Sequence, residues 1–159
     1  MKKQTILATL TLCASTLLGT AHAVDKPNVI LILADDVGYE ALECYGGETY
    51  PTKHLDALAK VGLQAMHCYS MPVCHPTRIA VLTGRYPLNV DSPKWGSFPA
   101  KLEKQTLAHA MKASGYSTGV TGKWQLTLLK DDPLQPHRMG FDEYSVFGWH
   151  EGARYHAPM

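Results

Sequence analysis

Asn28–Asp36 has the sequence NVILILADD: a run of almost entirely apolar residues, preceded by Pro27 and ended by two aspartates. A short, uninterrupted apolar run rich in valine and isoleucine is typical of a strand that is buried on both faces. Such strands belong to parallel sheets that are covered by helices. The segment therefore predicts an α/β fold.

Helices and further strands are predicted along the rest of the chain. Apolar residues at helical spacing, each run followed by a glycine, predict three helices: 52–61, 76–82 and 106–114. Two other apolar segments predict strands: 63–69 and 116–121. Proline and glycine interrupt two segments, which we expect to be irregular loops with little packing: 86–100 and the aromatic end of the chain from residue 131. Three strands make a narrow sheet, so we expect the α/β fold to be present only in part.

The first 23 residues have the features of an export signal. Lys2 and Lys3 give a basic start, residues 6–18 form an apolar stretch, and Ala21–Ala23 provides a cleavage site with small residues. We therefore expect cleavage after Ala23 and an exported protein, either periplasmic or secreted.

Charge and hydropathy exclude two classes of function. Without residues 1–23, which carry two lysines and no carboxylate, the formal charge changes from +1 to −1. This balance does not support a basic surface for nucleic acid. Beyond the signal, no apolar run approaches the length of about 18 residues that a membrane span requires. We therefore expect neither a nucleic-acid partner nor a membrane span.

Three cysteines follow the signal, namely Cys44, Cys68 and Cys74. Cysteines of exported proteins are usually paired, so an odd number leaves one thiol that needs a chemical explanation.

Asp35 and Asp36 follow the first predicted strand at its carboxyl end, where open α/β sheets bind ligands. Two adjacent carboxylates repel each other, and a hard divalent cation such as Ca²⁺ or Mg²⁺ would neutralise them. Both can bind one ion only if the chain curls after Ala34, because strand geometry sends them to opposite faces. The residues alone fit another interpretation equally well, in which one aspartate caps a helix that begins near Val37.

The segment Cys74–Arg78, with the sequence CHPTR, is the second candidate for chemistry. The cysteine lies at the start of a predicted helix, and Arg78 lies one turn later. The helix dipole and the guanidinium would both stabilise an anion at position 74, whether a thiolate or an oxygen nucleophile. A structural half-cystine fits the same residues.

Three motifs in this order together resemble a known family. They are the Asn28–Asp36 segment, CHPTR with the following Leu82–Arg85 (LTGR), and Gly122–Trp124 (GKW). This arrangement resembles the N-terminal part of the type I sulfatases, of the alkaline-phosphatase-like superfamily. The resemblance implies a mostly parallel sheet with helices on both faces, and it identifies residues 24–159 as the N-terminal part of a catalytic domain.

The resemblance implies a sulfuric ester hydrolase, similar to arylsulfatases, that acts on a sulfated small molecule or glycan. In this family a maturation enzyme converts the motif cysteine to formylglycine, which makes Cys74 the precursor of the nucleophile and explains the odd cysteine. With Cys74 modified, Cys44 and Cys68 could form a disulfide, or they could equally be two free, partly buried thiols, since residue 68 lies in a predicted strand. One hydroxyl of the hydrated aldehyde attacks sulfur and expels the alcohol. The other hydroxyl, once deprotonated, collapses the sulfate ester, which releases sulfate and restores the aldehyde.

The resemblance also implies roles for individual residues. Asp35 and Asp36 match the first two ligands of the metal ion, the modified Cys74 is a further ligand, and Ca²⁺ is expected in preference to Mg²⁺. Arg78 matches the residue that holds the nucleophile. Lys123 matches the lysine that contacts both the sulfate and the nucleophile.

Two residues depart from the family pattern. Thr77 stands where serine is commoner, and this change keeps the hydroxyl group. Gln125 stands where many sulfatases have histidine. A glutamine can orient a hydroxyl but cannot take its proton, so the identity of the general base is open.

Two other functions remain open on the sequence. One is a phosphonate or phosphate monoester hydrolase, since related members of the superfamily share the cysteine motif and the metal carboxylates. The other is an inactive remnant that binds sulfated glycans, because no segment after Lys123 matches the family's later metal ligands. Residues 86–100 are the one local candidate for a wall that selects the substrate.

Overall fold

The computed structural model describes residues 26–148 and 154–156. The chain divides into two units, residues 1–33 and 34–159. The expected export signal lies outside the described residues. Among the residues that are described, no helix is long and apolar enough to cross a membrane.

The described part of the second unit contains four α-helices and three β-strands. The helices are α1 (Lys53–Val61), α2 (Cys74–Thr83), α3 (Leu107–Ala113) and α4 (Gln135–Arg138). The strands are β1 (Gly119–Lys123), β2 (Glu143–Phe147) and β3 (Arg154–His156). Short 3₁₀ turns lie at Tyr39–Ala41, Glu43–Tyr45, Pro87–Val90 and Ala100–Leu102.

β2 is the middle strand of a small mixed sheet. It runs parallel to β1, with Lys123 opposite Phe147, and antiparallel to β3, with Val146 opposite Tyr155. Lys123 is the last residue of β1, so it lies at the carboxyl end of the parallel pair. That end is where open α/β sheets bind their ligands.

The core surrounds Trp124, which directly follows β1 and is 2% exposed. Its indole meets the Phe141 ring edge-on, with 6.0 Å between the ring centroids. Its Nε1–H donates to Oε1 of Gln135 at 2.8 Å. The other buried apolar residues of this core come from helices, strands and connecting segments: Ile79, Val90, Phe98, Leu102, Ala108, Leu126, Leu129, Met139, Tyr144 and Val146.

The three predicted helices are confirmed, with shifted bounds. α2 begins at Cys74, two residues before the predicted start at Pro76. It ends at Thr83, and Gly84 is its C-cap. Gly84 has a left-handed φ of 65°, which favours glycine, and its N–H donates to the Ala80 carbonyl. In α3 the Thr106 hydroxyl caps the helix by accepting from the His109 N–H at 3.3 Å.

The strands predicted at 28–34 and 63–69 are wrong, because neither segment is a strand in the structure. Ile30 is 84% exposed and Leu63 is 92% exposed. A strand exists only through hydrogen bonds to a neighbouring strand, and no described segment pairs with either stretch. Their apolar sequences indicate a need for cover, but the described residues do not provide it.

The cysteines also differ from the expectation for residue 68. Cys68 is exposed, because the segment around it is not a buried strand. Cys44 and Cys74 are each half-buried, and all three of these cysteines are free thiols. The structure therefore favours the alternative with two unpaired thiols at 44 and 68.

The strand predicted at 116–121 is confirmed but lies at 119–123.

Both segments that were expected to be loops contain ordered packing. Residues after 131 form α4, β2 and β3. In β2 the buried Tyr144 and Val146 alternate with exposed neighbours, which is the period of a half-buried strand. Within 86–100, Val90 and Phe98 are buried in the core, so the expectation of little packing there was wrong.

Candidate functional site

Three of the predicted site residues come together from separate segments of the second unit. Lys123 Nζ donates to Oδ2 of Asp35, and Nη2 of Arg78 lies 3.7 Å from Oδ1 of the same carboxylate. Nη1 of Arg78 also donates to the Lys123 backbone carbonyl at 2.5 Å. Arg78 lies in α2 and Lys123 at the end of β1, so the arginine ties the helix to the carboxyl end of the sheet.

The two cations of this cluster are largely enclosed. The side chains of Arg78 and Lys123 are 12% and 10% exposed, whereas that of Asp35 is 32% exposed. The hydrogen bond from Lys123, opposed by burial and aided by the charges of Lys123 and Arg78, holds the pKa of Asp35 below its ordinary value. These three side chains together carry one net positive charge, which favours binding of an anion.

Cys74 is the first residue of α2 and lies one turn before Arg78. Thr77 holds the segment that precedes Cys74, because its hydroxyl donates to the carbonyls of Val73 at 2.8 Å and Met71 at 3.3 Å. Val73 is the N-cap of α2 and makes no side-chain hydrogen bond to the first turn of the helix. An anion at this position gains from the helix dipole.

Buried polar atoms without a hydrogen-bond partner occur at two residues of the described chain, and both are predicted site residues. They are Nε of Arg78 and both amide atoms of Gln125. Gln125 is 4% exposed and has a left-handed φ of 51°, which is strained for a residue other than glycine. Each buried polar group that lacks a partner costs about 1–3 kcal/mol. Unsatisfied and strained groups of this kind concentrate at sites that bind ligands.

The aspartate pair fits the donor chemistry of a hard cation in part. Asp36 has a left-handed φ of 55°, so the chain does not continue past Asp35 as an extended strand. The alternative interpretation, a helix capped near Val37, is wrong, since the first turn is Tyr39–Ala41 with Gly38 at its N-cap. Within the described residues no three His, Cys, Asp or Glu side chains come together to hold a metal ion. The two carboxylates therefore supply only some of the about six to eight oxygens that Ca²⁺ takes.

His75 directly follows Cys74, and no motif of the sequence predicts a role for it. Its ring is 2% exposed, and its Nε2 lies 2.8 Å from the Ser97 carbonyl. A carbonyl only accepts, so Nε2 carries the hydrogen. His75 thus ties the first turn of α2 to the 86–100 segment. Its position beside a candidate nucleophile was the available signal.

Comparison with known proteins places this arrangement in a family. Residues 27–158 match the family model described as Sulfatase. The chain belongs to the sulfatase family. The membership in this family that three short motifs predicted is therefore confirmed.

Each of the similar proteins matches this sulfatase sequence with only a small part of its own length. Steryl-sulfatase of Rattus norvegicus is 38% identical over 133 residues, which cover 74% of this chain and 23% of the relative. Arylsulfatase A of Homo sapiens is 38% identical over 124 residues, with 74% and 24% covered. N-acetylgalactosamine-6-O-sulfatase of Bacteroides thetaiotaomicron is 40% identical over 110 residues, with 65% and 21% covered. The chain thus spans less than a quarter of the length of these relatives.

Solved structures agree with the family and with the fold class. The crystal structure of Ps i-CgsB matches with a TM-score of 0.67 and 34% identity, covering 77% of this chain and 28% of that one. Ps i-CgsB in complex with k-i-k-neocarrahexaose matches with a TM-score of 0.61 and 33% identity, with the same coverage. The α/β fold expected for this sulfatase, of the alkaline-phosphatase-like type and present in part, is therefore confirmed.

Proposed function

We propose that this sulfatase chain is part of a sulfuric ester hydrolase whose nucleophile is formylglycine derived from Cys74. The observation that best supports this is a set of buried side-chain atoms without a hydrogen-bond partner, which lie on Arg78 and Gln125. Arg78 belongs to the charged cluster, and Gln125 follows two residues after Lys123, the other cation of that cluster. Relatives named for steryl, aryl and N-acetylgalactosamine sulfates, and the complex with k-i-k-neocarrahexaose, support a sulfate ester of a cyclic alcohol, in a small molecule or a glycan.

The cationic side chains would act on charge that develops during sulfuryl transfer. Arg78, one turn after position 74, would hold the nucleophile with its free Nε–H. Lys123 would contact the sulfate and the nucleophile from the end of β1. Enclosed cations of fixed geometry stabilise developing negative charge more than mobile solvent does.

Gln125 would orient a hydroxyl group. Its amide has one acceptor and two donor hydrogens, and both its heavy atoms lack a partner. The sulfate group of an ester only accepts hydrogen bonds and would leave Oε1 unsatisfied. A hydroxyl of the hydrated aldehyde both donates and accepts, so it satisfies the amide better. Because an amide does not titrate near neutral pH, the general base lies elsewhere.

Asp35, Asp36 and the modified residue 74 would hold a divalent cation. Ca²⁺ fits better than Mg²⁺, because Mg²⁺ demands near-ideal octahedral geometry and Ca²⁺ accepts irregular oxygen ligands. When bound, the ion would supply Lewis-acid stabilisation of the sulfuryl oxygens. A formylglycine-generating maturation enzyme is a required partner, and the proposed route is export after cleavage of residues 1–23.

Modification and activity can be tested together in the full protein, produced with a maturation enzyme. Trypsin releases residues 61–78, a peptide that carries both Cys68 and Cys74. Fragmentation in the mass spectrometer should place the aldehyde at position 74 and an intact thiol at position 68. Cys68 thereby serves as an internal control on the same peptide.

Substrate class is then decided by rates. The modified protein should hydrolyse 4-nitrophenyl sulfate faster than 4-nitrophenyl phosphate or a phenylphosphonate ester. Faster hydrolysis of the phosphorus esters would favour the alternative phosphatase or phosphonate hydrolase. An unmodified Cys74 with no hydrolysis of any ester would favour a binding remnant and contradict the proposal.

A pair of matched substitutions tests the role of Gln125. Gln125→Met removes an amide that has no partner, so the free energy of unfolding should stay the same or rise. Hydrolysis should nevertheless fall about tenfold or more, as one hydrogen bond of about 1.5 kcal/mol is lost in the transition state. The pH profile of kcat should keep its shape, because the lost group does not titrate. Urea denaturation and steady-state kinetics measure these effects.

Gln135→Met is the control for this substitution. Gln135 is also buried, but its Oε1 accepts from Trp124 at 2.8 Å and from Thr127 at 2.6 Å. The same change there should lower the free energy of unfolding by about 2 kcal/mol or more and leave kcat of the folded enzyme intact. If Gln125→Met instead lost stability and kept its rate, the amide would be a structural group.

A further inference from the structure

Trp95 is a large aromatic side chain that stands half-exposed beside the start of α2. Its ring centroid lies 5.7 Å from that of His75, at an interplanar angle of 43°. It is 47% exposed, whereas His75 beneath it is 2% exposed. Exposure of one apolar side chain is ordinary on a protein surface. The position is what matters here, because His75 directly follows the residue proposed as the nucleophile precursor.

The backbone around Trp95 is held in place from several sides. Ser97 closes a turn by donating its N–H to the Lys94 carbonyl at 3.0 Å, and Gly96 in that turn has a φ of 74°. The Ser97 carbonyl in turn accepts from His75 at 2.8 Å. Next along the chain, Phe98 is buried in the core. The turn that carries the indole is therefore ordered before a ligand binds, so little backbone freedom is lost on binding.

We propose that Trp95 is a specificity-determining residue whose half-exposed indole packs against the ring of the alcohol part of a cyclic sulfate ester. This inference rests on the proposed function of the chain. An aromatic face suits contact with flat arenes and with the C–H faces of sugars. The ring is present both before and during the reaction, so the contact contributes to substrate binding and hardly to the chemical step.

The test compares Trp95→Ala with Trp95→Phe in the full, modified protein. Three substrates are used: 4-nitrophenyl sulfate as an arene, N-acetylgalactosamine 6-sulfate as a sugar, and an acyclic alkyl sulfate without a ring. Trp95→Ala should raise KM about three- to tenfold for whichever ring class the site accepts, at nearly unchanged kcat. Trp95→Phe should recover most of the loss, and the acyclic ester should show no change in KM.

Leu88→Ala is the matched control, since Leu88 is 85% exposed in the same 86–100 segment. It should leave KM unchanged for all three esters. An unchanged KM in Trp95→Ala on both ring substrates would overturn the inference, and so would an equal rise on the acyclic ester, which would indicate a displaced segment. A wild-type protein that hydrolyses none of the esters would overturn the proposed function itself.

Discussion

Cys74→Ser should stop steady turnover of sulfate esters while still allowing a single transfer. Serine carries one hydroxyl at the position where the hydrated aldehyde carries two. Its oxygen can attack sulfur and expel the alcohol, but no second hydroxyl on the same carbon can collapse the resulting ester. We expect kcat to fall by about three orders of magnitude or more, as for loss of other nucleophiles. Any early release of alcohol should stop at one equivalent per protein.

The measurement is a burst experiment on the full protein together with its intact mass. A covalently sulfated serine variant supports the two-hydroxyl mechanism, whereas an inert serine variant would contradict the expected single transfer. Cys68→Ser is the control, because Cys68 is an exposed free thiol only six residues away. It should keep the wild-type rate. Steady turnover by Cys74→Ser would show that residue 74 is not the nucleophile.

The motifs of this chain predicted the convergence of Arg78 and Lys123 better than its local patterns predicted the strands. CHPTR and GKW are far apart in sequence, yet Arg78 reaches the Lys123 carbonyl across the sheet edge. Side chains that share one ligand must meet in space, and this constrains the fold more strongly than hydrophobic periodicity does. The apolar run at 28–34 reports a need for burial. It carries no information on which segment supplies the pairing.

Other contacts were out of reach of local sequence reasoning for a similar reason. The bond from His75 to Ser97 joins a helix to a turn that proline and glycine made look irregular. The sequence of β2 resembles a loop because of its aromatic residues and nearby glycines, although the buried Tyr144 and Val146 alternate with exposed neighbours. That alternation was a usable signal. The partnerless amide of Gln125 could not be foreseen, since satisfaction of a polar group depends on its surroundings in space.

Lys123 makes one contact that the structure shows and has one proposed role in the reaction, and an experiment can separate the two. Its ammonium donates to Asp35, and this contact lowers the pKa of that carboxyl. A carboxylate with a lowered pKa adds stability above its unfolded pKa, and that stability is lost as pH falls through the folded pKa. Without the ammonium the pKa of Asp35 should rise, so stability should depend less on pH in the acid range where aspartate titrates. The electrostatic support for a bound sulfate should be lost at every pH.

Lys123→Met should therefore lower kcat/KM about 10²- to 10³-fold, the usual effect of removing one group that stabilises transition-state charge. The methionine keeps the length of the aliphatic chain, so the enclosed site stays filled.

Lys112→Met is the control, because Lys112 makes a comparable ion pair with Asp142 in which both side chains are more exposed. It should change neither kcat nor KM. Lys123→Arg keeps the charge but replaces the compact ammonium with a planar fork, so we expect it to restore the acid dependence of stability more fully than the rate. A Lys123→Met protein could instead keep the wild-type free energy of unfolding and hydrolyse sulfate esters within threefold of the wild-type rate. That result would show that Lys123 takes no part in the reaction, and that the Asp35–Arg78–Lys123 cluster is a structural link between α2 and β1.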